Sequence, residues 1–242
     1  MTIDFEFLDN FERKRVLIVD DDGFILGVLD KLLNMLGIES VVRANHGGEA
    51  LAVLVEQAVD LVISDVQMPS LDGLSMLKQI RMGRSGAPAH LPCIIVTSLE
   101  EEAVLVAAMR LDANGFVQKP FKTPMLIKRL LIALSETIVE MPGHPYSEVV
   151  IDLEQVALGE SGPSLGQSHQ CQHIPLERDE KYTLVSLFHL RSDMQLAEDI
   201  KTKNGTVLLS AGFTLNEARV HRMWELEKNL EKTSFRVIGG WT

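Results

Sequence analysis

The sequence predicts an α/β chain: a doubly wound parallel sheet of five strands, then a smaller α+β module. Three observations carry this. Short apolar runs rich in Val and Ile alternate with stretches of helical periodicity from Arg15 to about Glu140. Those runs carry no polar alternation, as expected of strands covered by helices on both faces. Composition then changes after Met141-Pro142-Gly143-His144-Pro145, a segment that breaks helix.

The strand runs, in order, are Val16-Leu17-Ile18-Val19, Ser40-Val41-Val42, Leu61-Val62-Ile63, Cys93-Ile94-Ile95-Val96 and the weaker Gly115-Phe116-Val117. Between and after them the spacing predicts helices over about 24–36, 47–57, 73–82, 101–110 and 123–138. Five strand–helix repeats require right-handed crossovers and hence a parallel sheet. Residues 1–140 form this domain. Residues 141–175 read as a linker, with a short helix near 148–158 and a Gly/Ser-rich stretch over 159–170. Residues 176–242 form the second module. There Thr183 to Leu190 is strand-like, and Leu196–Thr202 and Thr206–Ser210 flank Asn204-Gly205, a hairpin signal. Asn216 caps a helix running to about Lys232, and Ser234 to Ile238 is a final strand.

Composition bounds the function. The chain has 242 residues, 46% hydrophobic and 24% charged, with a formal net charge of -11 from 23 basic and 34 acidic residues. Both parts are acidic, and an acidic surface repels phosphate backbones, which argues against general nucleic-acid binding. Two cysteines make no disulfide framework. The acidic, mixed N-terminus is not a secretion signal, and no run of 18 apolar residues suggests a membrane span. These features predict a cytoplasmic protein.

The polar residues of the first domain fall at the carboxyl ends of its strands, where open parallel sheets bind ligands. Strand one ends at Asp20-Asp21-Asp22, strand three at Asp65, strand four at Thr97-Ser98, and Lys119-Pro120 follows strand five. Clustered carboxylates repel one another and suit a hard cation such as Mg2+. With two acids held by the metal, an oxygen of Asp65 can act as a nucleophile toward a phosphoryl group. The Lys119 ammonium and the Thr97 hydroxyl could then meet the charge on the transferred group. Any one of these residues alone would be an ordinary cap, strand-end hydroxyl or surface lysine; their joint order is the signal.

The segments VLIVDDD, LVISDVQMPSLDGL, IIVTS and GFVQKPF, in this order, resemble the receiver domain of bacterial response regulators over roughly residues 13–138. The resemblance implies a flavodoxin-like sheet of order 2-1-3-4-5. It implies Asp65 as phosphoacceptor, and Asp20, Asp21, Asp65 and the backbone carbonyl of Gln67 as Mg2+ ligands. Thr97 and Lys119 match the switch hydroxyl and the lysine, and Phe116 the aromatic that follows Thr97. Ser98 departs mildly from the small apolar residue often found there. A sensor histidine kinase or histidine phosphotransfer protein would supply the phosphoryl group. The signal would leave through the fourth helix, fifth strand and fifth helix (Glu101 to Arg110, Phe116 to Gln118, Lys122 to Leu134), toward an output protein or a homodimer. The chain is not expected to be an enzyme beyond self-catalysed chemistry at Asp65.

The second module carries no ligand pattern of an HD-type phosphodiesterase and no Gly-Gly-acid loop of a cyclase. His169-Gln170-Cys171-Gln172-His173 offers metal-ligand types but no evident fourth ligand. Residues His189 to Leu226 resemble a small strand-rich module that accompanies HD-type cyclic dinucleotide phosphodiesterase domains. Met194, Leu196, Asp199, Gly205, Leu208, Leu209, Gly212 and Leu215 carry the likeness, and their expected work is turn geometry and core packing. Two alternatives remain: a DNA-binding transcriptional regulator using Arg219, His221, Arg222 and Lys228, and a phosphorelay intermediate.

Overall fold

The computed structural model describes residues 13–99, 102–135, 146–149, 151, 153 and 182–238. The Gly/Ser-rich linker, the His169–His173 stretch, Cys171 and the start of the second module at 176 lie outside these residues, as does most of the helix expected near 148–158. Of the last, Glu148 closes a 3-10 turn over Tyr146–Glu148, and the other described residues are 149, 151 and 153.

The first five strands are β1 Arg15–Val19, β2 Ser40–Ala44, β3 Leu61–Ser64, β4 Cys93–Thr97 and β5 Gly115–Gln118. They form one parallel sheet, as the apolar runs predict, in the order β2-β1-β3-β4-β5 that the resemblance implies. The helices are α1 Gly23–Met35, α2 Gly47–Glu56, α3 Gly73–Arg81, α4 Glu102–Arg110 and α5 Thr123–Ser135. Strands β3 and β4 are buried along their whole length, which is why they read as continuous apolar runs.

The two faces of the sheet are filled by alternate residues. Val16, Ile18, Leu61, Ile63, Ile94, Val96 and Val117 share a core with Leu26, Leu29 and Leu33 of α1 and Leu126, Leu130 and Ala133 of α5. On the opposite face Leu17, Val19, Val62 and Ile95 are equally buried, as are Leu54 of α2 and Leu74, Leu77 and Ile80 of α3. The helix starts are set locally. Asp22 caps α1 by accepting from the Phe24 amide at 2.8 Å, and Asp72 caps α3 by accepting from the Ser75 amide at 2.8 Å.

The chain divides into two compact units, bounded at Glu100/Glu101, Asp112/Ala113 and Ile151/Asp152. This division differs from a cut at residue 140: α4 is grouped with the C-terminal module. That second unit contains β6 Thr183–Ser186, β7 Gln195–Leu196, β8 Ile200–Lys201, β9 Val207–Leu209, α6 Glu217–Glu225 and β10 Ser234–Ile238. β10 pairs antiparallel with both β6 and β7, and β8 with β9. Gly205, at φ +83, turns the β8–β9 hairpin. Met194, Leu196, Leu208, Leu209 and Leu215, five of the eight residues carrying the module's resemblance, are core residues here.

Three local expectations are corrected. The strand expected over Thr183 to Leu190 stops at Ser186; Leu187 then turns into the core within a 3-10 turn, its amide donating to the Thr233 carbonyl. The hairpin arm expected from Leu196 to Thr202 is two strands, because Leu196 pairs with β10 and Ile200 with β9. The helix expected to reach Lys232 ends at Glu225. Beyond it, the Lys203 amide donates to Asn229, and the Glu231 amide to Lys201, so these tertiary hydrogen bonds override helix propensity.

Candidate functional site

In the order β2-β1-β3 the connections from β1 and β2 step to opposite sides of β1, so the switch point lies between β1 and β3 and a crevice opens beyond their carboxyl ends. The backbone extends both strands into it in register. The Asp65 amide donates to Val19 at 2.9 Å and the Asp20 amide to Ala44 at 3.2 Å. Asp20 and Asp65 are therefore delivered side by side, both buried. Asp21 is exposed. One carboxylate oxygen from each of Asp20, Asp21 and Asp65 lies within 4.8 Å of the others.

Lys119 completes the arrangement. Its Nζ donates to Asp20 Oδ2 at 2.7 Å and to Asp65 Oδ2 at 2.9 Å. Its backbone amide donates to the Thr97 carbonyl at 2.7 Å, which fixes the lysine beside β4. The remaining oxygens are held by main chain: Asp20 Oδ1 accepts from Asp22, and Asp65 Oδ1 accepts from Val66 at 2.6 Å. Burial pushes the Asp20 carboxyl above its ordinary value, although Lys119 and the Asp22 amide oppose this. Burial works against the Lys119 ammonium too, but its hydrogen bonds to Asp20 and Asp65 prevail and raise it.

Thr97 is fully buried at the end of β4, and its hydroxyl accepts from the Leu99 amide at 3.3 Å. Phe116, opposite Ile95 on β5, is half-exposed. Gln67 is exposed, two residues beyond Asp65. The third acid of the Asp20-Asp21-Asp22 run serves as the α1 cap. The role of Gly73 exceeds the turn signal of Asp72-Gly73. A Cβ there would fall 1.9 Å from the Asp65 carbonyl oxygen and 2.8 Å from Ser64 Oγ. A Gly directly after a cap residue hinted at a turn, but a close approach to the end of β3 is visible only in three dimensions.

The structure thus places a buried acid pair bridged by a lysine at the switch point of an α/β sheet. Residues 16–131 match the family described as response regulator receiver domain. The chain is similar to a protein described as probable transcriptional regulator ycf27 from Guillardia theta, 35% identical over 130 residues, 54% of this chain and 49% of the relative. The corresponding protein of Cyanidium caldarium is 36% identical over 126 residues, 51% of this chain and 48% of the relative. The chain thus spans about half the length of the curated relatives it matches. Among solved structures, the chemotaxis protein CheY4 of Vibrio cholerae is similar at 31% identity and a TM-score of 0.44, over 48% of this chain and 95% of that one.

Proposed function

We propose that this chain is a response regulator in which Asp65 accepts a phosphoryl group from a phosphohistidine of a sensor kinase or phosphotransfer protein. The observation that carries the reading is the Lys119 ammonium shared by Asp20 and Asp65, beside three carboxylates that converge within 4.8 Å.

The all-oxygen donor set fits a hard divalent cation better than a soft one. Asp20, Asp21 and Asp65, with the Gln67 carbonyl, would hold Mg2+, which supplies neutralising charge for the incoming phosphoryl oxygens. An Asp65 carboxylate oxygen then forms the O–P bond as the P–N bond of the donor breaks. That electron pair stays on the imidazole nitrogen, which takes up a proton. The Val66 amide keeps the carboxylate aimed, and Lys119 meets the transferred charge. Afterwards Thr97 is drawn toward the new oxygens and Phe116 turns inward, changing the surface of α4, β5 and α5. The self-catalysed reaction at Asp65 is the only chemistry assigned to the chain, and a cytoplasmic site fits it. Among the described residues no helix is long and apolar enough to cross a membrane.

An output through a protein partner is favoured over DNA. Of the four basic residues that would recommend α6 and its continuation, Arg219 and Arg222 are buried within their own unit. Lys228 is exposed and His221 is half-buried, with its ring edge-on to Trp224. The test is direct. Incubation with a small phosphodonor and Mg2+ should label the wild type at Asp65 and leave Asp65→Asn unlabelled. Label that survives in Asp65→Asn, or none in the wild type, refutes the assignment.

A further inference from the structure

The unit that contains the C-terminal module is built around α4. Val106 and Met109 of that helix are buried in one core with Leu196, Leu208, Met223 and Phe235, and Arg110 Nη2 donates to the Val207 carbonyl at 2.8 Å. Two residues past the helix, Asp112 adopts φ +51, a left-handed conformation that favours Gly or Asn. It is also only 4% exposed. Both the backbone conformation and the buried charge are costly there, and an uncharged residue would relieve the second cost.

What holds the aspartate is a pair of buried arginines on α6. Arg219 Nη2 lies 3.0 Å from Asp112 Oδ2, and Arg222 Nη1 lies 3.6 Å from Asp112 Oδ1. Their spacing of three residues puts both on one face of the helix. Arg219 is further fixed by Phe213, whose ring centroid is 4.3 Å from its guanidinium carbon. The chain then ties this clamp to the switch. Four residues separate Thr97 from the start of α4, and four more separate Arg110 from β5.

We infer that α4 is the element through which the phosphorylation state reaches the module, and that the Asp112–Arg219–Arg222 clamp is its point of attachment. The inference rests on the phosphoacceptor reading above. The module is thus the resident partner of α4: its core covers Val106 and Met109, and a second protein using that apolar face must first displace the module. A homodimer through α4 therefore requires the clamp to open.

Hydrogen–deuterium exchange on the full chain tests this, with and without beryllofluoride and Mg2+ as the phosphoryl mimic. In the wild type the mimic should change exchange in 102–112 and in 217–225 together. Asp112→Asn tolerates the left-handed backbone and removes the charge. It should raise basal exchange in 217–225 about tenfold and abolish the response there, while the response in 93–99 persists. Arg222→Gln serves as the second variant should Asp112→Asn lose its circular-dichroism spectrum. A wild-type response at 93–99 with none at 217–225 overturns the coupling. So does a folded Asp112→Asn or Arg222→Gln whose basal exchange and response match the wild type. If the mimic changes nothing in the wild type, the phosphoacceptor reading fails instead. The basal contrast between wild type and variants then still decides whether the clamp holds the module on α4.

Discussion

Lys119 shows how one side chain can set both the electrostatics and the fold of a pocket. Its ammonium sits between two buried carboxylates, 2.7 and 2.9 Å away, that would otherwise face each other. Lys119→Ala leaves both uncompensated, so metal-free protein should lose about 3 kcal/mol of stability. Mg2+ should restore much of it, because a cation again neutralises the acids. Urea titration with and without Mg2+ reads both effects. Asp20 gives a pH signature of definite sign. Its folded pKa is raised above the ordinary 3.8. Its contribution to metal-free stability is therefore full below 3.8 and lost as pH rises through the folded value. Mg2+ needs the ionised form, so the stabilisation it confers should weaken on acidification earlier than for an ordinary carboxylate. Thermal melts across pH, with and without Mg2+, measure this; Asp20→Asn should erase the Mg2+ effect. The residues of this pocket were legible as types at strand ends, Asp20, Asp21, Asp65, Thr97 and Lys119 among them. Asp112 was not, since an acid in the sequence Leu-Asp-Ala-Asn gives no sign of the two arginines far along the chain that it meets.

At the scale of single elements, the start of α3 governs how closely the chain can pass behind Asp65. Gly73 donates its amide to Val66 at 3.0 Å while its Cα lies against the Asp65 carbonyl. Gly73→Ala should cost about 2 kcal/mol or more and slow phosphorylation, because relief requires the Asp65 backbone to shift. Denaturant midpoints and labelling rates together check it; an unchanged rate with unchanged stability would show that the helix start yields instead. The elements of the first sheet were legible almost to the residue, since β1, β3 and β4 each carry an unbroken apolar run and their helices carry regular buried faces. The module's elements were legible only in part. Strands of two or three residues such as β7, β8 and β9 are too short for periodicity to mark, and their ends are fixed by pairing with β10 and with one another.

For the whole molecule, the grouping of α4 with the C-terminal module leaves that helix without its core when the residues that follow are removed. A chain ending at residue 140 would strip Val106 and Met109 of the core around them. Each loses about 1.5–3 kcal/mol of burial. Such a chain should bind a hydrophobic dye and show faster exchange in α4 than the full protein. Equal exchange in both would mean that α4 stands without the module. The sequence by itself determined the parallel sheet, its strand ends and the residue types of the carboxylate–lysine pocket, because burial on both faces and the turn from apolar strand to acid are local patterns. Tertiary structure alone decided that α4 packs into the second core and that Asp112 is gripped by Arg219 and Arg222. The physical reason is that buried ion pairs and shared cores join residues about a hundred positions apart, and no local period encodes such a pairing.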